Sequence, residues 1–270
     1  MRIYLLPPNF RNSLPLEITG SEFHYLIHVL RLKKDSQITG KDANGKLWIL
    51  SILEIKKKSC ILKAISEISD MSSCEAETTD YLPQDRPKVT IFLYICIPKG
   101  NKLKQIVKMA TEIGVTYIVP VISKNCIPNI STDSDKKYSD NCNKYSAVIK
   151  EAVQQSGSII STQICNTIPI SLIYDDFNKK CVSLNKEGLF LFFHQKKLID
   201  NQTSLRDILL NTENLNQKAI GVLIGAEGGL TDEECKTLLN NGFNPILLKS
   251  NILRTETAAI YGISVIQALS

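Results

Sequence analysis

Length, composition and charge favour a soluble globular protein, and the sequence argues against a membrane-spanning or a secreted one. The 270 residues carry a net charge of +5, with 43% apolar and 22% charged residues, enough for one large or two smaller domains. No apolar run approaches the roughly 18 residues that cross a bilayer, and the start lacks a secretory signal, so we expect a cytoplasmic protein without a membrane partner. Eight scattered cysteines without a C-x-x-C pair predict reduced thiols, and with only three histidines no metal site is expected.

The first part of the chain is predicted to form a small domain, residues 1–70, of short strands around one helix. Residues 48–55 and 60–68 alternate apolar and polar side chains on either side of a lysine-rich turn, which indicates a β-hairpin. A helix is expected over residues 24–32. The following segment, residues 71–87, is poor in apolar residues and rich in Ser, Thr, Glu and Asp, so it is predicted to be a linker.

The remaining residues, 88–270, alternate strand and helix patterns, which is typical of an α/β domain with a mostly parallel sheet. Apolar residues at helical spacing predict helices over 101–114, over a segment that ends at Gly157, and over 258–269. Apolar runs of strand length lie between these helices. They predict strands at residues 89–97, 115–121, 189–193, 219–224 and 245–248.

Two loops near the C-terminus have an unusual composition, and each follows a predicted strand. The first, residues 224–231, holds three glycines, which allow a backbone to approach a ligand closely. Thr231 and Glu234 form a capping-box pattern, so this loop is expected to open into a helix N-terminus. The second loop reads Asn-Ile-Leu-Arg-Thr-Glu-Thr-Ala-Ala over residues 251–259. The pair predicts a ligand-binding edge that matches neither a phosphate P-loop nor a dinucleotide turn.

These loops resemble those of the SPOUT methyltransferases, and more narrowly those of the RsmE family. That family reads roughly I-G-P-E-G-G and L-G-x-R-I/V-L-R-T-E-T-A at residues 224–229 and 248–258. The resemblance extends upstream over nearly the whole chain. Its further segments are the basic loop 99–102, K-M-A-T-E-I-G-V at 108–115, E-A-V-Q-Q-S-G at 151–157 and H-Y-L-I-H-V-L-R-L at 24–32.

The resemblance implies a fold, a reaction and partners. It implies an α/β protein in which an N-terminal PUA-like β-barrel precedes a SPOUT domain with a C-terminal trefoil knot. It also implies S-adenosylmethionine (SAM) as cofactor, methylation of N3 of a uridine in 16S ribosomal RNA, free or in the small ribosomal subunit, and a homodimer paired through the C-terminal helix. Two alternatives stay open: a SPOUT enzyme with another RNA target, and an inactive RNA-binding relative. The apolar stripe of the last helix would also suit burial against its own sheet.

The resemblance also assigns roles to particular residues. Arg254 is the first catalytic candidate, by stabilising charge that develops on the base, although a phosphate contact or a salt bridge to Glu256 is an equal alternative. Glu256 is a second catalytic candidate that could instead hold the knot. The expected cofactor-binding residues are Phe193, His194, Gly225, Glu227, Gly228, Gly229, Leu248, Ile252, Leu253 and Thr257.

A basic cluster predicts the RNA contacts. Lys99, Lys102 and Lys108 lie on a loop and the helix after it, and Arg31 lies in the small domain. Such cations suit phosphate contacts, although a lysine-rich solvated helix face is common. The chain departs from the family where arginines are usual. Asn125, Ser158 and Asn251 stand at those positions.

Overall fold

The computed structural model of the protein describes residues 3–68, 89–126, 141–200, 202–248 and 251–270. The chain divides into two compact units. The small unit comprises Met1–Gln84 with Val153–Ile159, and the large unit comprises Asp85–Ala152 with Ile160–Ser270. The predicted linker, residues 71–87, lies outside the described residues, and the predicted boundaries on either side of it remain predictions.

The described part of the small unit contains a five-stranded sheet and a helical segment that follows its second strand. Its strands are β1 (Ile3–Leu5), β2 (Leu16–Thr19), β3 (Gln37–Lys41), β4 (Leu47–Ile55) and β5 (Ser59–Glu67). They lie in the order β1-β3-β4-β5-β2, and only the β1–β3 pair is parallel. The predicted hairpin is confirmed as β4 and β5. Helix α1 (Gly20–His24) continues into a π-helical turn (Tyr25–Val29), so the predicted helix starts earlier than expected.

The large unit is built on a parallel sheet, as the alternating pattern predicts. Its seven strands are β6 (Thr90–Cys96), β7 (Tyr117–Ile122), β8 (Gln163–Ile164), β9 (Ile168–Pro169), β10 (Gly188–Phe193), β11 (Ala219–Ile224) and β12 (Asn244–Ile246). The order is β12-β10-β11-β6-β7-β8, with β9 also paired to β7. Every described pair is parallel, so the strands of this sheet end at one edge.

Helices cover this sheet and connect its strands. They are α2 (Lys102–Ile113), α3 (Asn141–Ser156), α4 (Ile173–Ser183), α5 (Leu205–Leu210), α6 (Asp232–Asn240) and α7 (Thr255–Ala268), with short 3₁₀ turns at Ile170–Leu172 and Leu215–Gln217. Gly114 ends α2 in the left-handed conformation, φ 95°, as its expected capping position requires. Helix α7 begins earlier than the predicted position 258.

Strand β6 shows how both faces of the sheet become buried. Ile91, Leu93 and Ile95 belong to one apolar cluster, which includes side chains of α2 and α7. The alternate residues, Phe92 and Tyr94, belong to a second cluster with side chains of α4 and α6. Successive strand residues point to opposite faces, so a continuous apolar run is what a doubly covered strand needs.

The apolar stripe of α7 is buried in its own unit. Ala259, Ile263 and Ile266 are fully buried in the cluster shared with α2. Gln267 donates a hydrogen bond to the carbonyl of Ile113 at the end of α2, 2.7 Å away. Burial within the chain's own unit therefore explains why these three residues are apolar, without a second copy of the chain. The expected fourth member, Leu269, is 37% exposed.

A close approach of α7 to β10 generates the first prediction. A Cβ atom at Gly262 would lie 2.6 Å from the ring of the buried Phe193, closer than packed atoms approach, so the ring would have to shift. Gly262→Ala should therefore lower the free energy of unfolding by about 1–3 kcal/mol through overpacking, although Ala is the better helix former. Urea denaturation measures this, with Ser264→Ala on the same helix as the control. A stabilised Gly262→Ala would contradict the packing argument.

Candidate binding site at the carboxyl edge of the parallel sheet

A cavity of about 340 Å³ lies where β10, β11 and β12 end. Parallel strands bring the loops that follow them to one edge, where α/β proteins usually bind ligands. The segments that follow these three strands supply the wall together with the first residues of α7. The lining residues are Phe193, His194, Gln195, Ile224, Gly225, Ala226, Glu227, Gly229, Leu230, Leu247, Leu248, Asn251, Ile252, Leu253, Arg254, Thr255 and Ala258.

The glycine loop, residues 225–230, turns sharply after β11. The N–H of Gly229 donates to the carbonyl of Ala226, 2.8 Å away, and Gly229 has a φ of +69°, which favours glycine. A Cβ atom at Gly225 would lie 3.3 Å from the Cα of Gly229, so the two ends of the turn almost touch. The backbone of this loop therefore forms part of the cavity wall directly.

Thr255 joins the glycine loop to the C-terminal loop, here residues 251–254. This first residue of α7 is buried, and its hydroxyl donates a hydrogen bond of 3.1 Å to the carbonyl of Gly225. The two loops that the sequence singled out are thereby fixed side by side. Thr255 was missing from the predicted site residues, although its place inside the second motif was a usable signal.

The structure brings most of the predicted cofactor-binding residues together. Eight of them line the cavity: Phe193, His194, Gly225, Glu227, Gly229, Leu248, Ile252 and Leu253. Gly228 and Thr257 do not. Thr257 is exposed on α7, whereas a Cβ atom at Gly228 would lie 3.0 Å from the Cβ of Asn125. Substituting Gly228 therefore perturbs a contact behind the loop rather than the cavity itself.

Asn125 clamps the glycine loop from behind. Its side-chain amide donates to the carbonyls of Gly228 and Gly229 at 3.0 and 3.2 Å. This is one of the positions at which the family usually has arginine. The preceding Lys124 donates its backbone N–H to a carboxylate oxygen of Glu234, 2.8 Å away. The segment after β7 is therefore fixed both to the glycine loop and to the start of α6.

The predicted capping box at the start of α6 is confirmed. The Thr231 hydroxyl accepts a hydrogen bond from the N–H of Glu234, 3.3 Å away, and the Glu234 carboxylate accepts one from the N–H of Thr231, 2.8 Å away. Glu234 thus satisfies donors in two segments, since its other carboxylate oxygen accepts the bond from Lys124. The end of the glycine loop is held by this exchange.

The two predicted catalytic residues have different surroundings. Arg254 is exposed and lines the cavity, and within the described residues it forms no ion pair. Glu256 lies outside the cavity wall and has one carboxylate oxygen buried without a hydrogen bond. Its ionic neighbour is Lys102, with 3.6 Å between Nζ and Oε2. The salt bridge between Arg254 and Glu256 that sequence reasoning left open is therefore not formed here.

Glu227 is the carboxylate of the cavity wall. The Lys102 ammonium donates to it at 2.7 Å, and the backbone N–H of Lys99 approaches it at 3.3 Å. Partial burial alone would raise the pKa of Glu227, but these hydrogen bonds outweigh it and lower the pKa. The same contact with Glu227 raises the pKa of Lys102. Both groups are therefore charged near neutral pH.

The four expected RNA-binding cations fall into two groups. Lys102 is engaged by carboxylates, and Lys108 lies 3.5 Å from Glu151 in an exposed ion pair. Lys99 and Arg31 are exposed, and the described part of the chain gives their side chains no ion pair. An exposed pair such as that of Lys108 contributes little energy and leaves the lysine available to phosphate. The Lys102 contacts are closer and involve two partners.

The residues that the structure describes offer neither a membrane-spanning helix nor a metal site. They contain no helix that is long and apolar enough to cross a membrane. No group of three His, Cys, Asp or Glu side chains among them could hold a metal ion. The cysteines at positions 60, 96, 126, 165, 181 and 235 form no disulfide among the described residues.

Two known family models match this chain, one in each part of it. The family model described as the RNA methyltransferase domain matches residues 85–267, and the model described as the RNA methyltransferase PUA domain matches residues 18–65. The fold and the site thus define an RNA methyltransferase domain with a PUA domain before it. A ribosomal RNA small subunit methyltransferase E from Rickettsia conorii is 27% identical over 99% of this chain and 95% of that protein.

Solved structures agree with these matches. A putative methyltransferase from Legionella pneumophila, in complex with the bound cofactor SAM, is 25% identical with a TM-score of 0.71, over 98% of this chain and 96% of that one. A ribosomal RNA small subunit methyltransferase E from Neisseria gonorrhoeae bound to S-adenosyl methionine is 24% identical with a TM-score of 0.74, over 100% and 98%. The chain belongs to the ribosomal RNA small subunit methyltransferase E family.

The clamp at Asn125 generates the second prediction. In Asn125→Asp a carboxylate without a donor would face two carbonyl oxygens, so the glycine loop should open more often. Amide hydrogen exchange of Gly229 is expected to become about tenfold faster, with Lys124→Ala as a control that leaves the clamp intact. Equal exchange rates in the wild type and Asn125→Asp would show that the clamp does not hold the loop.

Proposed function

We propose that this protein transfers a methyl group from SAM to N3 of a uridine in 16S ribosomal RNA. The observation that carries the proposal is the cavity formed by the glycine loop and the C-terminal loop, joined through Thr255 and Gly225. Membership of the ribosomal RNA small subunit methyltransferase E family supports the RNA substrate, and the SAM-bound Legionella relative supports the cofactor. The choice of N3 rests on the motif resemblance.

The cavity suits SAM in size and chemistry. Its volume of about 340 Å³ lies within the usual range for small-molecule sites. Aliphatic side chains of Leu248, Ile252 and Leu253 can hold the flat adenine, while backbone groups of the glycine loop meet the polar edges. SAM carries a net positive charge, and the Glu227 carboxylate provides the opposite charge in the wall. These residues would bind and orient the cofactor.

Arg254 is proposed to act on the base. SAM supplies an electrophilic methyl group, and the uracil N3–H must lose its proton before N3 can accept it. Arg254 lines the cavity with a guanidinium that no described carboxylate pairs with, so it can stabilise negative charge on the uracil carbonyls. Glu256 lies outside the wall and is assigned the structural alternative, holding the knot.

The proposed architecture includes a barrel, a knot and a dimer. We infer that the small unit closes as a PUA-like barrel, and that the chain is threaded as a trefoil knot near α7. The insertion of β11 between β6 and β10, and the contact of α7 with the glycine loop, support the threading. A cytoplasmic homodimer is inferred too. The exposed Tyr261 on α7 and Leu269 directly after it are available for a second copy.

For the RNA target there is a second candidate. Asn125, Ser158 and Asn251 stand where the family usually has arginine, and Asn125 serves here as the clamp of the glycine loop. A cation lost from each position changes the surface offered to RNA. A SPOUT enzyme with another RNA target is therefore the second candidate, and an inactive relative is the third.

Filling the cavity tests cofactor binding. Ala258 lines the cavity on the first turns of α7, so Ala258→Leu should place a larger side chain in the space proposed for SAM. SAM affinity, measured by calorimetry, is expected to fall at least about tenfold while the helix remains favourable. Ala268→Leu, exposed at the other end of α7, is the matched control. Unchanged affinity in folded Ala258→Leu would place SAM elsewhere.

Methylation at N3 removes the uracil donor used in base pairing, so the product should stop reverse transcriptase. We expect one such stop in small-subunit RNA, dependent on both protein and SAM. Arg254→Ala should reduce it by about 100-fold or more while SAM affinity is retained, because its partner is the developing base anion. Full turnover by Arg254→Ala would remove its catalytic role. A wild type without any stop on this RNA would favour the competing targets.

A further inference from the structure

Lys102 occupies a position unlike that of the other predicted RNA-binding cations. It is the first residue of α2, and its ammonium donates to Glu227 at 2.7 Å. The same nitrogen lies 3.6 Å from the carboxylate of Glu256. Its side chain is about one-third exposed, at 32%, while those of Glu227 and Glu256 are 28% and 16% exposed. One ammonium therefore serves two partly buried carboxylates.

One of these carboxylates lies in the cavity wall, and the other lies just outside it. Glu227 lies in the glycine loop, and Glu256 lies in the first turn of α7, close behind the C-terminal loop. Lys102 itself belongs to α2, a third element of the large unit, and the N–H of Lys99 adds a bond from the loop before it. Lys102 thus connects three segments that are far apart in the sequence.

Glu256 makes this connection necessary. Its Oε2 is buried and accepts no hydrogen bond within the described residues, and a buried carboxylate is unfavourable without a cation nearby. Lys102 supplies that cation. If Lys102 turned outward to a phosphate, Glu256 would lose its compensating charge and Glu227 its closest donor. The existing contacts therefore oppose the use of Lys102 for RNA.

We propose that Lys102 is a positioning residue for the SAM site rather than a phosphate contact. It holds the Glu227 carboxylate at the cavity wall and fixes the glycine loop against the start of α7. The Glu227 carboxylate is thereby kept in the cavity wall, where a negative charge suits the positively charged cofactor. The identity of the ligand rests on the proposed function; the ordering of the loop does not.

The helix provides a matched control at Lys104. It lies two positions further along α2, is exposed, and forms no ion pair with the residues described here. Lys102→Met and Lys104→Met therefore make the same chemical change with different structural consequences. Lys102→Arg keeps a cation that can bridge two carboxylates.

The first measurement is SAM binding by calorimetry. Lys102→Met should weaken it about tenfold or more, because a charged hydrogen bond that orients Glu227 is lost. Lys104→Met should stay within about twofold of the wild type, and Lys102→Arg should recover most of the affinity. Glu227→Gln should cause a similar loss, and the double variant with Lys102→Met should lose less affinity than the two single losses combined, because the two residues share one contact.

The second measurement is RNA binding as a function of salt. If Lys102 does not contact phosphate, Lys102→Met should leave the slope of log affinity against log salt unchanged. A slope that falls by about 0.7–0.9, together with unchanged SAM affinity, would overturn the proposal and return Lys102 to the RNA surface. Thermal unfolding of each variant separates these effects from loss of the fold.

Hydrogen exchange without any ligand separates this inference from the proposed function. Lys102→Met should accelerate exchange of the Gly229 amide, whereas Lys104→Met should not. If the wild type fails to bind SAM but this acceleration is observed, the proposed function is wrong and the ordering role of Lys102 stands. If the wild type binds SAM while exchange and SAM affinity are unchanged in Lys102→Met, only the inference is wrong.

Discussion

The hydrogen bond between Thr255 and the Gly225 carbonyl is the contact on which the candidate site depends. Parallel strands bring the loops after β10, β11 and β12 to one edge, but an edge alone leaves loops free to move. Thr255 starts α7, and α7 is packed into the core along its length. The bond therefore holds the glycine loop, which would otherwise be flexible, against a rigid and buried helix.

The charged side chains near this contact differ in whether they have an ionic partner. Glu227 and Glu256 share Lys102, whereas the guanidinium of Arg254 has no ionic partner among the described residues. A paired cation is held in place and largely neutralised, and an unpaired one remains available to a charge that appears only during a reaction. This division gives Lys102 an architectural role and Arg254 a chemical one, although both are basic residues near one cavity.

Local patterns in the sequence were sufficient for much of the fold. The run at 219–224 coincides with β11, and the capping box at Thr231 was readable from two residues. The two-residue strands β8 and β9 were missed because so short a segment has no periodicity. Contacts between segments that are distant in the sequence could not be predicted either. The pairing of Asn125 with Gly228, and of Lys102 with Glu227, depends on the sheet order, which no local pattern encodes.

Phe193 belongs both to the buried core and to the cavity wall, and its ring lies directly against Gly262. Any side chain at position 262 would crowd a ring that also forms part of the cavity wall. Gly262, which is not a lining residue itself, thus leaves the room that a residue of the wall occupies. In a library of random variants selected for binding alone, position 262 should be as intolerant of substitution as the glycines of the loop.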